Sequence, residues 1–488
     1  MIDRNSPLPI YYQLQQLLKE QIESNALKVG DQLPTEQEMC AQYHISRAPV
    51  RQALHALTQE GYIYRQAGVG TFVAENVGKG HTQRIDFRLL ASDARWVPLL
   101  ERAAQRWSSE NLGQEIQLNV DVPDRSSFHQ VLRTAAVGGN APDMVSIDYV
   151  WLTGYARSGY LTPLDELDAN WAQWLGERFE TPVARNHTVG GHIFGMPMQA
   201  DVTGLWYRRD WFEAAGLTPP LTWDEWLALL EYFARPETRT RFGHRYPVSF
   251  PLSTFTGEAT VNLLLPFLWV AGGGLLDNEG HLALASSAVH RALEFLRSIT
   301  FEHKYLPPET LNFRWEDPPR LLAHGEVPMT LGGTYELPVL REESGWESEE
   351  EFLQHLGFVL IPRPTLEMPS VTSLGGTSWV ILKQSPLKEL SLELMKLAFS
   401  SELRRSFFGK TLQISPLKSF NQQLAGTHPW LREVSPFLSV ARPRPMLRQY
   451  VRVSRFLQQM FEMVLWEGAS IEETVHHTIN YLTLLLQD

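Results

Sequence analysis

The chain has 488 residues, 43% of them hydrophobic, so it is long enough for two or three domains that each bury their own core. Its formal net charge of -12 argues against a protein that coats nucleic acid without regard to sequence. The single cysteine, Cys40, excludes an intramolecular disulfide and a zinc site built from thiolates.

A short stretch near the N-terminus predicts two helices separated by a tight turn. Thr35 and Glu38 form the Ser/Thr-x-x-Glu pattern of a capping box, which predicts a helix over about 36–43. Ser46 is a good N-cap residue, so a second helix is predicted over about 47–59.

The second helix is expected to have one buried and one exposed face. Its apolar residues recur at helical spacing and predict a buried stripe of Val50, Ala53, Leu54 and Leu57. Arg47 and Arg51 then lie near the start of the opposite face. Because a guanidinium can bind guanine O6 and N7 or a phosphate, this face suits the major groove of DNA.

Two short segments after this helix alternate in the manner of strands. They cover residues 62–66 and 71–74, and residues 67–70 form a glycine-bearing tip between them. A hairpin tip of this kind is thin enough to enter a minor groove. Taken alone, each piece also has an ordinary structural interpretation, namely a solvated helix face and a simple turn.

The order of the pieces, Leu33-Pro34-Thr35-Glu36, then Ile45 to Leu54, then Gly68 to Val73, indicates more than any one of them. With the preceding helix from Ile10 to Ser24, residues 8–76 resemble the winged helix-turn-helix of the GntR family of bacterial transcriptional regulators. The resemblance implies DNA contacts by Gln37, Ser46, Arg47, Ala48, Pro49, Arg51, Ala67 and Gly68, with Gly70 at the same tip.

The charge distribution limits how this domain can bind DNA. Residues 1–80 contain seven Lys and Arg residues and eight Asp and Glu residues, a net charge of about -1 by this count. Binding must therefore depend on a local patch, for which we select Arg47, Arg51 and Arg65. We expect it to be strongly salt-dependent and to require a homodimer on a palindromic operator.

The rest of the chain predicts an α/β domain with a parallel sheet. Residues 1–76 are assigned to the DNA-binding domain, 77–83 to a linker and 84–488 to the larger domain. In the larger domain, expected strands alternate with expected helices, a pattern typical of parallel sheets covered on both sides. The strands are predicted at 85–91, 116–120 and 144–147, and the helices at 94–110 and 128–137.

Polar and aromatic residues follow the predicted strands, at the edge where ligands of a parallel sheet bind. Carboxylates can accept protons from sugar hydroxyls, while an aromatic ring can cover the C–H face of the sugar. For the tryptophans, a place in the core is the alternative. The candidate ligand-binding residues are Asp93, Asp148, Tyr149, Trp151, Asp201, Trp269, Tyr335, Gly375, Gly376 and Trp379.

A series of short motifs also extends over the larger domain. It includes Ala141-Pro142-Asp143-Met144-Val145, Gly159 to Asp165, Phe194-Gly195-Met196-Pro197, Leu221 to Trp226 and His324 to Met329. From about residue 84 onwards the chain resembles the solute-binding proteins of carbohydrate ABC transporters, the group similar to maltose-binding protein. The resemblance implies a bilobal periplasmic-binding-protein-like fold with two mostly parallel sheets, with lobe one over about 84–193 and 328–378 and lobe two over 194–327 and 379–488.

These features favour a DNA-binding transcriptional regulator controlled by a small ligand, which we expect to be a sugar or oligosaccharide. The alternatives are a cytoplasmic sugar-binding protein of a transport system and a glycoside-active enzyme that uses Asp148, Asp201 or Glu258. Against an enzyme, no carboxylate pair has a diagnostic spacing and no nucleophile or phosphate-loop motif is present. We expect no catalytic residue, metal or cofactor.

The sequence also predicts where the protein is found. The first residues contain no apolar segment of the kind found in secretory signals, and the longest apolar run, 261–276, is interrupted by Pro266 and by three consecutive glycines. We therefore expect a cytoplasmic protein without a membrane span.

Overall fold

The computed structural model of the protein describes residues 2, 9–66, 69–74, 83–111, 113–123, 127–137, 139–346 and 348–487. Two residues of the expected hairpin tip, Ala67 and Gly68, lie outside the described residues, as does the expected linker up to residue 82. By compactness the chain divides into two units, Met1–Phe87 with Glu101–Asn119, and Arg88–Leu100 with Val120–Asp488.

The N-terminal part has the helix and strand order expected for a winged helix-turn-helix. Its apolar side chains form one core, in which Leu14, Val50 and Leu57 are fully buried. The bounds of the two helices predicted around the turn agree with those observed. The elements are α1 (Ile10–Glu23), α2 (Glu36–Tyr43), α3 (Arg47–Gln59), β1 (Ile63–Gln66) and β2 (Gly70–Val73), with the two strands paired antiparallel.

The predicted capping box is confirmed. The Glu38 amide donates to the Thr35 hydroxyl at 3.3 Å, and the Thr35 amide donates to the Glu38 carboxylate at 2.7 Å. The expectation for Ser46 is only half right, because it occupies the N-cap position of α3 but its side chain makes no capping hydrogen bond. The turn is instead closed by His44 in a left-handed conformation, with its amide bonded to the Cys40 carbonyl.

The remaining described strands form two five-stranded sheets and one small hairpin. The sheet containing β3 has the order β4-β3-β5-β13-β8, and the sheet containing β9 has the order β10-β9-β12-β14 with β11 also paired to β9. The strands are β3 (Gln83–Ala91), β4 (Gln114–Asp121), β5 (Met144–Asp148), β6 (Thr188–Val189), β7 (His192–Ile193), β8 (Met196–Pro197), β9 (Asp201–Arg208), β10 (Met329–Gly333), β11 (Leu356–Val359), β12 (Thr372–Gly375), β13 (Thr377–Ile381) and β14 (Ala441–Pro443).

Sheet membership corrects the expected lobe ranges. Residues 329–375 were expected in lobe one, but β10, β11 and β12 all pair with β9 and so join the second sheet. In the opposite direction, β13 was mostly assigned to lobe two but pairs with β5 and β8 in the first sheet. The reason is that a strand joins a sheet through backbone hydrogen bonds to residues more than a hundred positions away, and no local sequence pattern encodes these partners.

Strand directions also differ from the expectation of mostly parallel sheets. β3 and β5 are parallel, with Leu89 opposite Met144. By contrast, β9 runs antiparallel to each of its three partners, β10, β11 and β12. A strand that is covered on both faces needs no polar face, and seven of the eight residues of β9 are buried.

The chain passes directly from one sheet to the other at two places. Three residues, Met198 to Ala200, separate β8 of the first sheet from β9 of the second. A single residue, Gly376, separates β12 of the second sheet from β13 of the first. The two crossings lie side by side, since the Met198 amide donates to the Thr377 carbonyl at 2.7 Å.

Helices cover the sheets. They are α4 (Val97–Glu110), α5 (Phe128–Val137), α6 (Tyr149–Arg157), α7 (Leu164–Leu167), α8 (Ala169–Arg178), α9 (Thr181–His187), α10 (Arg209–Ala215), α11 (Trp223–Ala234), α12 (Pro236–Phe242), α13 (Glu258–Val270), α14 (Ser287–Arg297), α15 (Asp317–Ala323), α16 (Leu337–Ser344), α17 (Glu349–His355), α18 (Lys388–Ala398), α19 (Ser401–Thr411), α20 (Lys418–Ala425), α21 (Pro429–Val434), α22 (Tyr450–Leu465) and α23 (Ile471–Leu486).

The largest core packs α11, α13, α14, α22 and α23 beside β9. As expected, the last two helices belong to the body of the second sheet. The region around α18 was expected there too, but this helix packs against β13 of the first sheet instead.

The close approach of β11 to β9 requires glycine at position 204. A Cβ atom built there would lie 2.2 Å from the Val359 carbonyl oxygen and 2.6 Å from the Phe358 ring. We expect Gly204→Ala to lower the free energy of unfolding by about 1–3 kcal/mol, because the strands must separate to admit the methyl group. Urea denaturation measures this loss.

Gly409→Ala is the matched control. It lies in α19, and a Cβ atom there would meet only the His428 ring at 3.8 Å. Alanine in a helix is favourable, so this variant should be neutral or slightly more stable. Equal stability of the two variants would contradict the strand-contact argument.

Candidate DNA-binding surface and ligand cleft

The polar face of α3 is exposed as the sequence predicts. Gln37 on α2 and Ser46, Arg47, Ala48 and Arg51 around the start of α3 are exposed, whereas Pro49 is half-buried. The opposite face holds the buried stripe of Val50, Ala53, Leu54 and Leu57. The structure therefore places most of the predicted DNA contacts on one accessible surface.

An acidic residue that the sequence analysis did not select organises the basic patch. Glu36, at the start of α2, accepts from Arg51 Nε at 2.8 Å and lies 3.4 Å from Arg65 Nη2. These pairs bring α2, α3 and β1 together. Both arginine side chains are at least half exposed, so the pairs are screened by water and contribute little to stability.

Gly70 lies at the start of β2. A Cβ atom there would meet the Gln32 side-chain nitrogen at 2.3 Å, and that nitrogen donates to the Val69 carbonyl at 3.1 Å. Gly70 is therefore needed for packing at the base of the hairpin.

In the larger unit, the first predicted carboxylate is paired with an arginine. Asp93 follows β3 and binds the Arg95 guanidinium with both oxygens, with Nε at 2.9 and 3.0 Å. Arg95 Nη1 also donates to the Tyr335 carbonyl at 2.7 Å. Asp93 and Tyr335, which are 242 positions apart, are thus brought together by Arg95, a residue that the sequence analysis missed.

Asp201 differs from Asp93. It is buried at the start of β9, and its hydrogen-bond partners are an amide and a hydroxyl group and not a guanidinium. Its carboxylate accepts from the Gln199 amide at 2.6 Å and from the Thr334 hydroxyl at 3.5 Å. Burial raises the pKa of Asp201 to about 6, and the nearby charges of Asp93 and Asp148 add to the shift, while Gln199 and Arg95 oppose it. This carboxyl group therefore titrates close to neutral pH.

The third carboxylate, Asp148 at the end of β5, belongs to a buried ion-pair network. Arg444 Nη2 donates to Asp148 at 3.1 Å, and Arg444 Nη1 donates to Glu258 at the start of α13. Glu258 also accepts from the Tyr450 and Ser454 hydroxyls on α22. The Arg444 side chain is 2% exposed.

This network bears on the enzyme alternative. Arg444 is buried, although it is an arginine, because two carboxylates compensate its charge. Asp148 and Glu258 were considered as parts of a catalytic carboxylate pair. Both instead accept hydrogen bonds from one guanidinium, that of Arg444.

The predicted aromatic residues divide by burial. Trp151 stacks on Phe128 and makes an edge contact with His129 inside a hydrophobic core, and Trp379 on β13 is fully buried. Neither presents an exposed ring face, because both belong to elements covered on two sides. Trp269 is also buried, and the Arg442 guanidinium lies 5.0 Å from its ring centre. Tyr335 is half-buried, with an edge contact to Trp315 at 5.9 Å.

Tyr149, Gly375 and Gly376 lie where the chain crosses between the two sheets, and Tyr149 contacts both crossings. The Tyr149 amide donates to the Gly376 carbonyl at 3.0 Å, and its hydroxyl donates to the Gln199 carbonyl. Gly376 has a φ angle of +145°, and a Cβ atom there would lie 2.4 Å from the Gln199 carbonyl oxygen. Gly375 is paired with Asp201. The geometry thus joins these residues to Asp201.

One exposed turn brings together three side chains of the types that can bind a metal ion. Asp277, Glu279 and His281 have ligand atoms within 4.8 Å of one another. However, Asp277 accepts from the backbone amides of Glu279 and His281, both at 2.9 Å. These hydrogen bonds account for the grouping as a turn.

Comparison with known families identifies both parts of the chain. A model of bacterial extracellular solute-binding proteins matches residues 94–404, and a model of bacterial regulatory proteins of the gntR family matches residues 10–73. Both resemblances inferred from the sequence are confirmed. Neither family is an enzyme family. Among the described residues, no helix has the length and apolar character needed to cross a bilayer.

Individual proteins similar to this chain belong to the same two groups, solute-binding proteins and transcriptional regulators. The lactose-binding protein of Rhizobium radiobacter is 24% identical over 330 residues, covering 65% of this chain and 70% of that protein. The HTH-type transcriptional repressor NagR of Bacillus subtilis is 49% identical over 74 residues, covering 15% of this chain and 30% of that protein. The solved structure of maltose-bound T. maritima MalE3 has a TM-score of 0.71 at 22% identity, covering 82% of this chain and all of that one, and so shares its fold.

The raised pKa of Asp201 generates a prediction about stability. The folded chain holds this proton more tightly than the unfolded chain, in which Asp titrates near its ordinary value of 3.8. Stability from this group is therefore present at low pH and lost as the pH rises through about 6. Relative to Asp201→Asn, the wild-type free energy of unfolding should fall by about 1–3 kcal/mol between about pH 4 and 7.

Urea unfolding of both proteins across this pH range measures the difference. Asp224→Asn, an exposed carboxylate on α11, is the control and should show no comparable fall. A pH-independent difference between wild type and Asp201→Asn would contradict the assignment.

Proposed function

Since the larger part of this chain belongs to the bacterial extracellular solute-binding protein family and residues 10–73 form a GntR-type regulator domain, we propose that the protein is a ligand-responsive transcriptional regulator. The observation that carries the proposal is the presence of both domains in one chain. Residues 1–76 bind DNA, 77–83 link the domains, and 84–488 bind the effector. The protein acts in the cytoplasm, where its DNA target lies.

The DNA-binding role is supported by the exposed start of α3. Arg47 and Arg51 lie on this face with Gln37, Ser46 and Ala48, and none of them is needed for the buried stripe. We assign base or phosphate contact to these residues and to Arg65. The acidic chain as a whole repels DNA, so specific binding depends on this patch and on two copies reading two half-sites.

The effector is proposed to be a sugar or oligosaccharide. The lactose-binding relative and the maltose-bound structure support a carbohydrate. The chemistry around Asp201 supports a neutral polyhydroxy ligand, because Asp93 and Asp148 are already paired with arginines. Asp201, Tyr335 and Gly375 are our first choice for residues near the ligand, and Arg95 is added as a positioning residue.

Control of DNA binding follows from thermodynamic linkage. If the sugar binds the DNA-competent and incompetent forms with different affinity, it shifts the population between them. A tenfold change in DNA affinity requires a difference of about 1.4 kcal/mol in sugar binding. Movement of the two sheets about the crossings at Gln199 and Gly376 supplies two such forms.

Fluorescence anisotropy on DNA from upstream of the gene tests the proposal. The purified chain is titrated with and without a panel of mono- and oligosaccharides. We expect one sugar to change DNA affinity at least several-fold, and the direction distinguishes an inducer from a co-repressor. DNA binding that no sugar changes, with no sugar bound by calorimetry, would overturn the effector assignment. Sugar binding without DNA binding would favour a transport-type binding protein.

A paired substitution tests the DNA surface separately. Arg47→Ala with Arg51→Ala should lower operator affinity by at least a hundredfold, because both groups lie at the start of the recognition helix. Sugar binding, measured by calorimetry, should not change. Lys28→Ala removes an exposed charge from a loop of the same domain and is the control. Unchanged DNA affinity in the double variant would refute the assignment of α3.

A further inference from the structure

Among the described residues, no carboxylate pairs with Arg404, a buried arginine on α19. Arg404 is 8% exposed, and its Nε and Nη1 atoms are buried without a hydrogen-bond partner. Arg444, by comparison, is buried between the carboxylates of Asp148 and Glu258. Burying a charged group without a counterion is costly. Arg404 is therefore a candidate for binding an anion from outside the chain.

Two aromatic rings compensate this charge in part. The Cζ atom of Arg404 lies 4.6 Å from the centre of the Phe399 ring and 4.8 Å from that of Phe420 on α20. Ring faces attract a cation but contain no oxygen acceptor, so they leave the guanidinium N–H groups unsatisfied. Burial lowers the pKa of Arg404 to about 10, and no charged neighbour contributes to this shift. The guanidinium therefore stays protonated at neutral pH and can donate to an oxygen ligand.

The guanidinium lies at the N-terminal end of α19. Side chains of a helix lean toward its N-terminus, and Arg404 does so, because it contacts Phe399, the residue before the N-cap residue Ser400. The Ser400 hydroxyl is also buried without a partner and makes no capping hydrogen bond. The first-turn amides of a helix have no intrahelical acceptor, and the helix dipole is positive at this end. Donors of three kinds thus lie close together.

The acidic residue in the first turn of α19 does not compensate Arg404. Glu402 is exposed, and residues two positions apart on a helix do not face each other. An anion bound at the start of α19 would therefore supply the countercharge that Arg404 does not receive from Glu402.

We propose that Arg404, the Ser400 hydroxyl and the first-turn amides of α19 form a binding site for a phosphate group, carried by inorganic phosphate or by a phosphate monoester. A phosphate presents three acceptor oxygens in different directions, so it can accept from all three kinds of donor at once. The two oxygens of a carboxylate lie in one plane and fit this set less well. Helix N-termini are favourable phosphate sites in general.

The phosphate site lies at the opposite end of α19 from the sheet crossing. This helix of eleven residues is about 16 Å long. Beyond its last turn the chain continues to Ile414, whose carbonyl accepts from the Ala200 amide of the crossing at 3.0 Å. A phosphate at the start of α19 therefore does not occupy the position proposed for the sugar near Asp201. The site adds a second ligand to the proposed function and does not depend on it.

Isothermal titration calorimetry of the full chain in a phosphate-free buffer, without DNA or sugar, tests the site. Inorganic phosphate and methyl phosphate are titrated separately, and methanol is the neutral control. We expect the wild type to bind at least one of the two phosphate compounds with a dissociation constant of about 1 mM or below. Tighter binding of methyl phosphate would assign the site to a monoester, and tighter binding of inorganic phosphate would assign it to the free ion.

Substitutions locate the binding. Arg404→Leu should weaken phosphate binding at least tenfold, because it removes the cation and keeps an apolar contact with both rings. Arg405→Leu changes the exposed arginine next along the same helix, so it is the matched control and should bind phosphate as the wild type does. Arg47→Ala with Arg51→Ala should also leave phosphate binding unchanged, which distinguishes this site from the DNA-binding surface.

Thermal unfolding separates ligand binding from a purely structural role of Arg404. Without phosphate, Arg404→Leu should unfold at the same temperature as the wild type or above it, because an apolar side chain is buried there without a charge. Added phosphate should raise the unfolding temperature of the wild type and not that of Arg404→Leu. If Arg404→Leu does not fold, Arg404→Lys decides, since it keeps the charge but loses the planar set of donors and should bind phosphate at least threefold more weakly.

Three results would overturn the proposal. They are a wild type that binds neither phosphate compound, an affinity that Arg404→Leu and Arg404→Lys leave unchanged, and an affinity that is lost in the Arg47→Ala and Arg51→Ala double variant. None of them bears on the regulator proposal, because the titrations contain neither DNA nor sugar.

Discussion

The structure of the larger unit depends on the two places where the chain crosses between sheets. Gly376 and Gln199 approach so closely that any side chain at position 376 would meet the Gln199 carbonyl, at 2.4 Å from its Cβ atom. Tyr149 bonds to both crossings, through its amide to Gly376 and through its hydroxyl to Gln199. The two crossings are therefore joined to each other through one tyrosine.

Around that contact, three carboxylates have different electrostatic environments. Asp93 is paired with the half-buried Arg95, and Asp148 shares the buried Arg444 guanidinium with Glu258. Asp201 has mainly the Gln199 amide, which compensates a charge less fully. The same residue type is thus paired with arginine at two positions, whereas at the third, Asp201, burial raises its pKa to about 6.

The DNA-binding part uses charge in a different way. Its arginines are exposed, and Glu36 holds two of them in pairs that water screens. Such pairs hold the guanidinium groups of Arg51 and Arg65 close to each other on the exposed surface. The acidic balance of the chain and the basic patch are compatible, because charge acts on DNA within about 10 Å at moderate salt.

Local signals in the sequence determined both helices of the DNA-reading motif, their capping box, the buried stripe of α3 and the identity of both families. These depend on neighbours within about four residues, or on motif order along the chain. Sheet membership of residues 329–375, the core position of Trp151 and Trp379, and the burial of Arg444 were decided only by the tertiary structure. Arg95 and Tyr335, or Arg444 and Asp148, are hundreds of residues apart, and their pairing energy exists only once the sheets bring them together.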